Sequence, residues 1–391
     1  MIKSFGILYA GHIDADNIGI EGTPANERWF SNQQLSNAFG TALELAQLAD
    51  RLGYDILWLA EHHFQREGYE CIPNIALLSV HLAAHTKRVK FGCAFNILPA
   101  WHPLRLAEDF ATADILTEGR VIFGIGRGYH TREVETLGAP LLDSDANRDL
   151  FEEQVEIIIK SFNQESFSHQ GNYYTIPPGV PYRGYNLEEV TLVPRPAHLP
   201  VEIWQPIVSG SPRGLKFMFR HGIKGVVSGV SSATVEQTFR AYQDIGAQEG
   251  QILQLGENLA LGLRFFLGDS PEKAIDAARP FYEEGFKFSG PLGFSPGLSE
   301  EQKKAAVNPK LKGRNFFPSL EEEVQDGTWI CGPADVAIAA LKEVEKKYPG
   351  LEHVFVNVGV GTHKKVFLEQ LERFAREVMP VFMGANRATL I

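Results

Sequence analysis

The stretch WLAEHHFQREG, residues 58–68, places an acid and two histidines directly after an apolar segment that is typical of a buried β-strand. Histidine can hold or release a proton near neutral pH, which suits it to acid–base catalysis. Glu61, His62 and His63 therefore predict acid–base chemistry at the end of a strand, with His62 as the catalytic candidate. The alternative is that His62 only hydrogen-bonds the backbone of a loop.

A second motif suits a phosphate group. In GIGRGY, residues 124–129, Arg127 stands between Gly126 and Gly128. Arginine offers a planar fork of donors that matches phosphate oxygens, and glycine lets the backbone approach a ligand closely. The spacing GxGxG differs from the dinucleotide fingerprint GxGxxG. The alternative for Arg127 is an ion pair on the surface.

A third motif, Val208-Ser209-Gly210-Ser211-Pro212, predicts the start of a helix. Serine is a favoured N-cap, and proline is favoured as the first helical residue. The free N–H groups and the positive dipole end of such a helix attract anions. Residues 208–211 are therefore a second candidate for binding phosphate, although capping alone would explain Ser211 and Pro212.

Three residues are weaker candidates for contact with a substrate. Tyr129 and His130 follow Arg127, and His63 follows His62. A solvated loop explains Tyr129 and His130 equally well, and a structural role explains His63.

Strand-like and helix-like segments alternate along almost the whole chain. The strand-like segments are continuous apolar runs, which are typical of parallel strands buried on both faces. Eight strand–helix units predict an α/β protein, a (β/α)8 TIM barrel formed by one domain, residues 1–391. The alternative is an open doubly wound sheet, but the glycine-rich turn expected after its first strand is missing. In a barrel the candidate residues would meet at the carboxyl ends of the strands. The predicted strands are residues 3–10, 54–60, 89–98, 120–125, 201–208, 224–228, 260–267 and 353–358.

Three insertions interrupt the alternation, at about residues 11–32, 171–200 and 286–327. Long loops in compact domains are usually functional or disordered. We expect 171–200 to carry an extra hairpin with a strand at 189–193, and 286–327 to be a candidate lid at the mouth.

Composition narrows the class of protein. Lys and Arg total 37 and Asp and Glu 48, so the net charge is −11, which disfavours nucleic acid and anionic membranes as partners. Cys71, Cys93 and Cys331 are far apart, which argues against a disulfide framework or a zinc site, and we expect no metal. The first residues lack a signal-peptide pattern and no apolar run is long enough to span a bilayer, so we expect a cytoplasmic protein.

Several motifs together resemble a known family. AEHHF, followed by ILPAWHPLRLAEDFATADILTEGRVIFGIGRGYHTREVETLG, resembles the bacterial luciferase-like flavin-dependent monooxygenases. The chain from its first strand to REVMPVF is compatible with this family, whose members are (β/α)8 barrels that use reduced FMN and molecular oxygen.

The resemblance implies roles for particular residues. His62 would be catalytic, near the reactive edge of the flavin, and a cis peptide bond between Ala94 and Phe95 would pass under the flavin ring, beside Asn96. Arg127, Gly126 and the turn Val208-Ser209-Gly210-Ser211 would hold the FMN phosphate. The light-emitting luciferases carry a reactive cysteine at the position of Gly126. Bioluminescence is therefore not implied.

The resemblance also implies a reaction and partners. A separate NAD(P)H:flavin reductase would supply reduced FMN, and a C4a-peroxyflavin would transfer one oxygen atom to a small organic substrate. The apolar helix at residues 75–84 would form a homodimer interface, unless it belongs to a thick internal core. The alternatives are a deazaflavin- or NADH-linked oxidoreductase and a non-catalytic flavin-binding protein. Hydroxylation, ester-forming oxygen insertion and desulfonation all remain open.

Overall fold

The computed structural model describes residues 1–292 and 318–383. Within this part, eight parallel strands close into a barrel, because residues 121–126 pair with 203–206 and residues 353–357 pair with 4–9. The prediction of a (β/α)8 barrel is confirmed. The barrel strands are β1 (Ser4–Tyr9), β2 (Ile56–Leu59), β3 (Lys90–Cys93), β5 (Val121–Gly126), β10 (Ile203–Pro206), β11 (Lys224–Ser228), β12 (Leu259–Leu267) and β14 (His353–Asn357). The short strand β4 (Asn96–Ile97) pairs with the end of β5.

Every barrel strand is followed by at least one helix before the next barrel strand. Helix starts follow the capping rules: Asn74 accepts a hydrogen bond from the backbone N–H of Leu77 at 2.8 Å, so the apolar helix begins at Ile75. The helices are α1 (Asn32–Leu35), α2 (Asn37–Leu52), α3 (Ile75–Ala83), α4 (Pro103–Leu116), α5 (Thr131–Val134), α6 (Ser144–Asn163), α7 (Pro212–His221), α8 (Ser232–Gln248), α9 (Pro271–Ser289), α10 (Leu320–Gln325), α11 (Ala334–Lys347) and α12 (Lys364–Glu377).

The strands separate two apolar layers. Along β2, Leu57 and Leu59 pack into the large cluster between barrel and helices, whereas Trp58 packs inside the barrel with Trp204 and Phe355. Successive side chains of a strand point to opposite faces, so both layers bury apolar residues. This arrangement explains why the strands read as continuous apolar runs.

The second insertion differs in detail from the prediction. Two short hairpins are present, one formed by β6 (His169–Gln170), just before the insertion, with β7 (Thr175–Ile176) and one by β8 (Pro181–Tyr182) with β9 (Tyr185–Asn186). The predicted strand at 189–193 is wrong, because in this segment only Val190 makes a bridge, to Phe167. One isolated bridge does not hold five residues in a strand.

The third insertion builds on the end of β12. A strand absent from the prediction, β13 (Trp329–Gly332), pairs with the last four residues of β12, and α9 leads away from it. Residues 293–317 of the candidate lid lie outside the described residues. The described helices include none long and apolar enough to cross a lipid bilayer.

Candidate active site

His62 follows β2 directly, and only 4% of it is exposed. Its Nδ1 lies 3.1 Å from Oε2 of Glu133, and its Nε2 lies 3.1 Å from Oε1 of Glu70. Its backbone N–H donates to the carbonyl of Ile72 at 2.9 Å. Both ring nitrogens therefore face carboxylate oxygens at hydrogen-bonding distance, and the orientation of the ring is fixed from both sides.

Tyr129 reaches the same place from the loop after β5. Its hydroxyl oxygen lies 2.9 Å from Nε2 of His62 and 2.9 Å from Oε1 of Glu70. Burial and the nearby charge of Glu70 raise the pKa of Tyr129 well above its ordinary value, so the side chain stays a hydroxyl. A hydroxyl can donate to one neighbour and accept from the other, which gives a proton a path between Glu70 and His62.

His130 and Gln65 complete this group of side chains. Nε2 of His130 lies 3.1 Å from Oε2 of Glu70, and the Gln65 amide donates to Oε1 of Glu133 at 2.9 Å. We refer to the group as the His62 cluster. Its members are His62, Gln65, Glu70, Tyr129, His130 and Glu133.

The two carboxylates of the His62 cluster differ in their affinity for protons. Burial raises the pKa of Glu70 to about 7. Burial would also raise the pKa of Glu133, but hydrogen bonds from His62 and Gln65 hold it below its ordinary value. Two carboxylates whose pKa values are pushed apart can act as acid and base at the same pH. Here Glu133 keeps its charge while Glu70 exchanges a proton near neutrality.

The same side chains include donors of the kind that bind metals. One ligand atom from each of His62, Glu70, His130 and Glu133 lies within 4.8 Å of the others. Their mutual hydrogen bonds, and those from Tyr129, already satisfy these atoms without a cation. The expectation that no metal binds stays a prediction.

The carboxyl end of α9 lies over the His62 cluster. The ring of Phe288 is 5.9 Å from the ring of His130 and 5.1 Å from the ring of Tyr69, measured between centroids. One turn earlier, Glu284 forms buried ion pairs with Arg28, at 2.9 Å, and with Lys287, at 2.8 Å. Because Arg28 belongs to the first insertion, these pairs tie that insertion and α9 together.

His63 points away from its neighbour. Its Nε2 lies 3.1 Å from Oε1 of Glu61, which also accepts from the indole N–H of Trp101 at 2.8 Å. Burial alone would lower the pKa of His63, but the hydrogen bond and charge of Glu61 raise it above its ordinary value. His63 and Glu61 therefore form a separate pair, which supports a positioning role for His63 more than contact with a substrate.

Residues 94–96 line the inside of the barrel where β3 ends. Ala94 and Phe95 pack against the interior cluster, and the peptide bond between them is cis, as expected. Asn96 is buried, and its amide donates to the carbonyl of Gly124 at 2.8 Å. A Cβ on Gly126 would lie 3.2 Å from Cβ of Phe95, so this wall has little room for a larger residue.

Arg127 follows β5 and lies against the start of α6. Its guanidinium is 3.3 Å from Oδ1 of Asn147, and Asn147 donates back to the carbonyl of Arg127 at 3.3 Å. Burial, followed by the positive charges of Arg148 and Arg213, lowers the pKa of Arg127. Three arginines are thus gathered at one place, an arrangement that favours a bound anion.

The turn Val208-Ser209-Gly210-Ser211 meets these arginines. Ser211 caps α7 as predicted, accepting from the N–H of Gly214 at 3.3 Å. A Cβ on Gly214 would lie 3.1 Å from Oγ of Ser211 and 3.3 Å from Nη1 of Arg148. Arg213 is engaged by Asp149 and Glu152 at 2.6 and 2.7 Å. Arg148 forms a longer ion pair with Glu152, at 3.7 Å. Arg127, Arg148 and the hydroxyl of Ser211 therefore keep donors for an anion at the first turn of α7.

The structure adds functional candidates that the sequence did not reveal. Glu70 lies on the loop after β2, Glu133 lies on the short α5, and Arg148 lies in the first turns of α6. Glu133 occurs three residues after His130, a spacing that also fits an ordinary helix start, and Glu70 has no periodic signal. Only the folded barrel brings these residues to His62 and Arg127.

The chain is similar to known proteins over most of its length. Residues 13–349 match the family model described as luciferase-like monooxygenase. The oxygenase component of the flavin-dependent trigonelline monooxygenase of Acinetobacter baylyi is 25% identical, over 91% of this chain and 93% of that protein. Limonene 1,2-monooxygenase of Rhodococcus erythropolis is 24% identical, over 88% and 81%.

Solved structures show the same fold. The oxygenating constituent of the 3,6-diketocamphane monooxygenase of Pseudomonas putida, solved with FMN, aligns with a TM-score of 0.73 and 20% identity, over 97% of this chain and 98% of that chain. The coenzyme F420-dependent tetrahydromethanopterin reductase of Methanopyrus kandleri aligns with a TM-score of 0.62 and 16% identity, over 98% and 100%. The fold alone therefore does not separate flavin from deazaflavin chemistry.

Proposed function

The chain belongs to the luciferase-like monooxygenase family, and we propose that it is the oxygenase of a two-component system that uses reduced FMN and molecular oxygen to oxygenate a small organic substrate. One observation carries the proposal. The barrel mouth holds both an arginine-rich anion site and a buried acid–base cluster centred on His62. Relatives that align over most of the chain are flavin-dependent monooxygenases.

The arginine-rich site fits the phosphate of FMN. A phosphate monoester carries up to two negative charges and several acceptor oxygens. Arg127 and Arg148 supply two guanidinium groups, while Ser211 and the first N–H groups of α7 supply neutral donors. We assign the FMN phosphate to this place, with the turn Val208-Ser209-Gly210-Ser211 around it.

The flavin ring would lie against residues 94–96 and Gly126, where Ala94 and Phe95 form an apolar wall. Gly126 permits close approach, since even a methyl group there would stand 3.2 Å from Phe95. When bound, reduced FMN supplies the electrons that reduce oxygen, so that one oxygen atom enters the substrate and the other leaves as water.

The His62 cluster would donate and take up the proton that this reaction needs. Glu133 holds Nδ1 of His62, which leaves Nε2 as the position where a proton is exchanged with Tyr129 and Glu70. The pKa of Glu70, raised by burial to about 7, lets it return that proton at neutral pH. His62 is the catalytic residue of this proposal, and Glu133 positions it.

Two partners complete the proposal. Because one relative is the oxygenase component of its system, we propose that a separate NAD(P)H:flavin reductase delivers reduced FMN to this chain too. We also propose a homodimer through α3. Leu77, in the first turn of this apolar helix, is 69% exposed, and Phe64, on the loop after β2, is 51% exposed. Exposed apolar side chains on and near an apolar helix are consistent with an interface there.

The decisive experiment is an anaerobic titration with reduced FMN, followed by rapid mixing with oxygenated buffer and optical detection. We expect binding, and reoxidation of the bound flavin that is slower than that of free reduced FMN. His62→Ala should keep FMN binding and lose substrate oxygenation, whereas His198→Ala, at an exposed histidine next to Gly119 before β5, should change neither. Absence of reduced FMN binding contradicts the proposal and favours a deazaflavin coenzyme.

A further inference from the structure

Arg264 lies on the inner face of the barrel near the carboxyl end of β12. Along this strand Ala260 packs in the interior cluster. Gly262 also faces inward, because a Cβ there would stand 2.4 Å from the side chains of Phe355 and Ser228. Alternation of side chains places Arg264 on the same face, one step nearer the mouth. The third inward position of β12 is thus a cation.

The guanidinium of Arg264 has no hydrogen bond and no ion pair within residues 1–292 and 318–383. Burial lowers its pKa, and the charge of Glu323, which forms no ion pair with it, counteracts this effect. Nη2 of Arg264 would lie 2.9 Å from a Cβ on Gly229, so the group rests against the bare backbone after β11. A cation in this position costs free energy unless an anion accompanies it.

A second donor without an acceptor lies beside Arg264. Trp329 is its register partner on β13, and register partners in parallel strands point to the same face. Trp329 is 3% exposed, and its indole Nε1 has no hydrogen-bond partner among the described residues. Asn357, at the end of β14, is the register partner of Arg264 on the other side. The Arg264 guanidinium and the Trp329 indole, two groups that only donate hydrogen bonds, therefore lie side by side without an acceptor among the described residues.

This place is separate from the proposed phosphate site. The phosphate site lies between β5 and β10, with Arg127 and Arg148, whereas Arg264 lies on β12, beyond β11 in the barrel order. If the phosphate of FMN is bound at Arg127 and Arg148, the guanidinium of Arg264 is therefore available for another ligand.

We propose that Arg264 binds the carboxylate of an anionic organic substrate and thereby determines substrate specificity. The planar guanidinium can donate two parallel hydrogen bonds to the two oxygens of a carboxylate. Such charge-assisted, bidentate hydrogen bonds are strong when they are partly shielded from water. The proposal rests on the proposed function, because it takes the barrel mouth as the substrate site. It excludes plain hydrocarbons and neutral terpenes as preferred substrates.

The test compares acids with their neutral amides. Benzoate and benzamide, cyclohexanecarboxylate and cyclohexanecarboxamide, and hexanoate and hexanamide are titrated into the full chain, and binding is followed by ligand-observed NMR. In at least one pair the acid should bind at least about tenfold more tightly than its amide. Arg264→Gln should abolish that preference, and Arg264→Lys should keep part of it. Arg240→Gln, which removes an exposed arginine of α8, should leave it unchanged.

Two further measurements separate a binding role from a structural one. Arg264→Gln should melt no lower than the wild type, because it removes a cation without a partner, and it should bind reduced FMN as the wild type does. A lower melting temperature with no effect on acid binding, equal binding of acids and amides, or no binding of any acid would overturn the proposal. Failure of the proposed function would give a different result. The wild type would then not bind reduced FMN, but it would still bind acids more tightly than amides, and Arg264→Gln would still remove that preference.

Discussion

Replacing Glu70 with glutamine should change how stability depends on pH. Glu70 is 3% exposed, and burial raises its pKa from 4.5 to about 7. Between these two pH values the folded protein holds a proton on Glu70 that the unfolded chain has released. The stabilisation that this proton brings is fully present below pH 4.5 and is lost as the pH rises through 7.

The size of the effect follows from the same shift. The two pKa values differ by about 2.5 pH units, and each unit corresponds to about 1.36 kcal/mol, so ionising Glu70 costs the folded state about 3 kcal/mol. Glutamine has the shape of the protonated acid but cannot ionise. Glu70→Gln should therefore match the wild type near pH 4.5 and exceed its free energy of unfolding by about 3 kcal/mol near pH 8.

Urea denaturation of both proteins at intervals of half a pH unit measures this difference directly. Glu369→Gln, which alters an exposed carboxylate on α12, provides the control and should show a nearly constant difference from the wild type. The reasoning would be refuted by a constant difference between Glu70→Gln and the wild type from pH 4.5 to 8. Although Glu70→Gln should be more stable than the wild type at neutral pH, its turnover there should be lower, because the substitution removes the proton exchange at Nε2 of His62.

Three further outcomes follow from particular contacts. Arg127→Met should weaken binding of reduced FMN by about 10- to 100-fold, the loss expected for one charge-assisted hydrogen bond, as measured by anaerobic titration. Gly124→Ala should unfold the protein or cost several kcal/mol in urea denaturation, because the new Cβ would stand 1.6 Å from a carbonyl oxygen of β3, whereas Gly40→Ala, which has nothing within 4 Å, should be tolerated. Leu77→Lys should convert a dimer into a monomer in light scattering, whereas Ile252→Lys, at a residue that is 99% exposed, should leave the assembly unchanged.

Local signals were sufficient for the barrel. Continuous apolar runs mark strands that are buried on both faces, and all eight barrel strands lie within or beside the predicted segments. Ser211 and Pro212 act locally, so the start of α7 was predicted correctly. The prediction failed where pairing depends on distant chain, as at β13, which forms a strand only because the end of β12 extends beyond the barrel to meet it.

The site was only partly visible in the sequence for a related reason. His62 could be found because it directly follows a strand whose carboxyl end must face the mouth. Its partners Glu70 and Glu133 lie on a loop and on a four-residue helix, where neither periodicity nor capping fixes the direction of a side chain. Arg264 was not identified from the sequence because it lies within the apolar strand β12. A single charged residue in such a strand does not form a motif.

Two adjacent residues, Tyr69 and Glu70, connect His62 to α9, the helix that lies over the His62 cluster. The hydroxyl of Tyr69 donates to Oε1 of Glu284 at 2.6 Å, while the next residue, Glu70, contacts His62. Glu284 in turn holds Arg28 of the first insertion through a buried ion pair. Buried ion pairs tolerate little displacement, because a charge that loses its partner there is costly. The position of α9 and the orientation of His62 therefore both depend on the loop after β2 that carries Tyr69 and Glu70. A substitution that moves this loop should displace both.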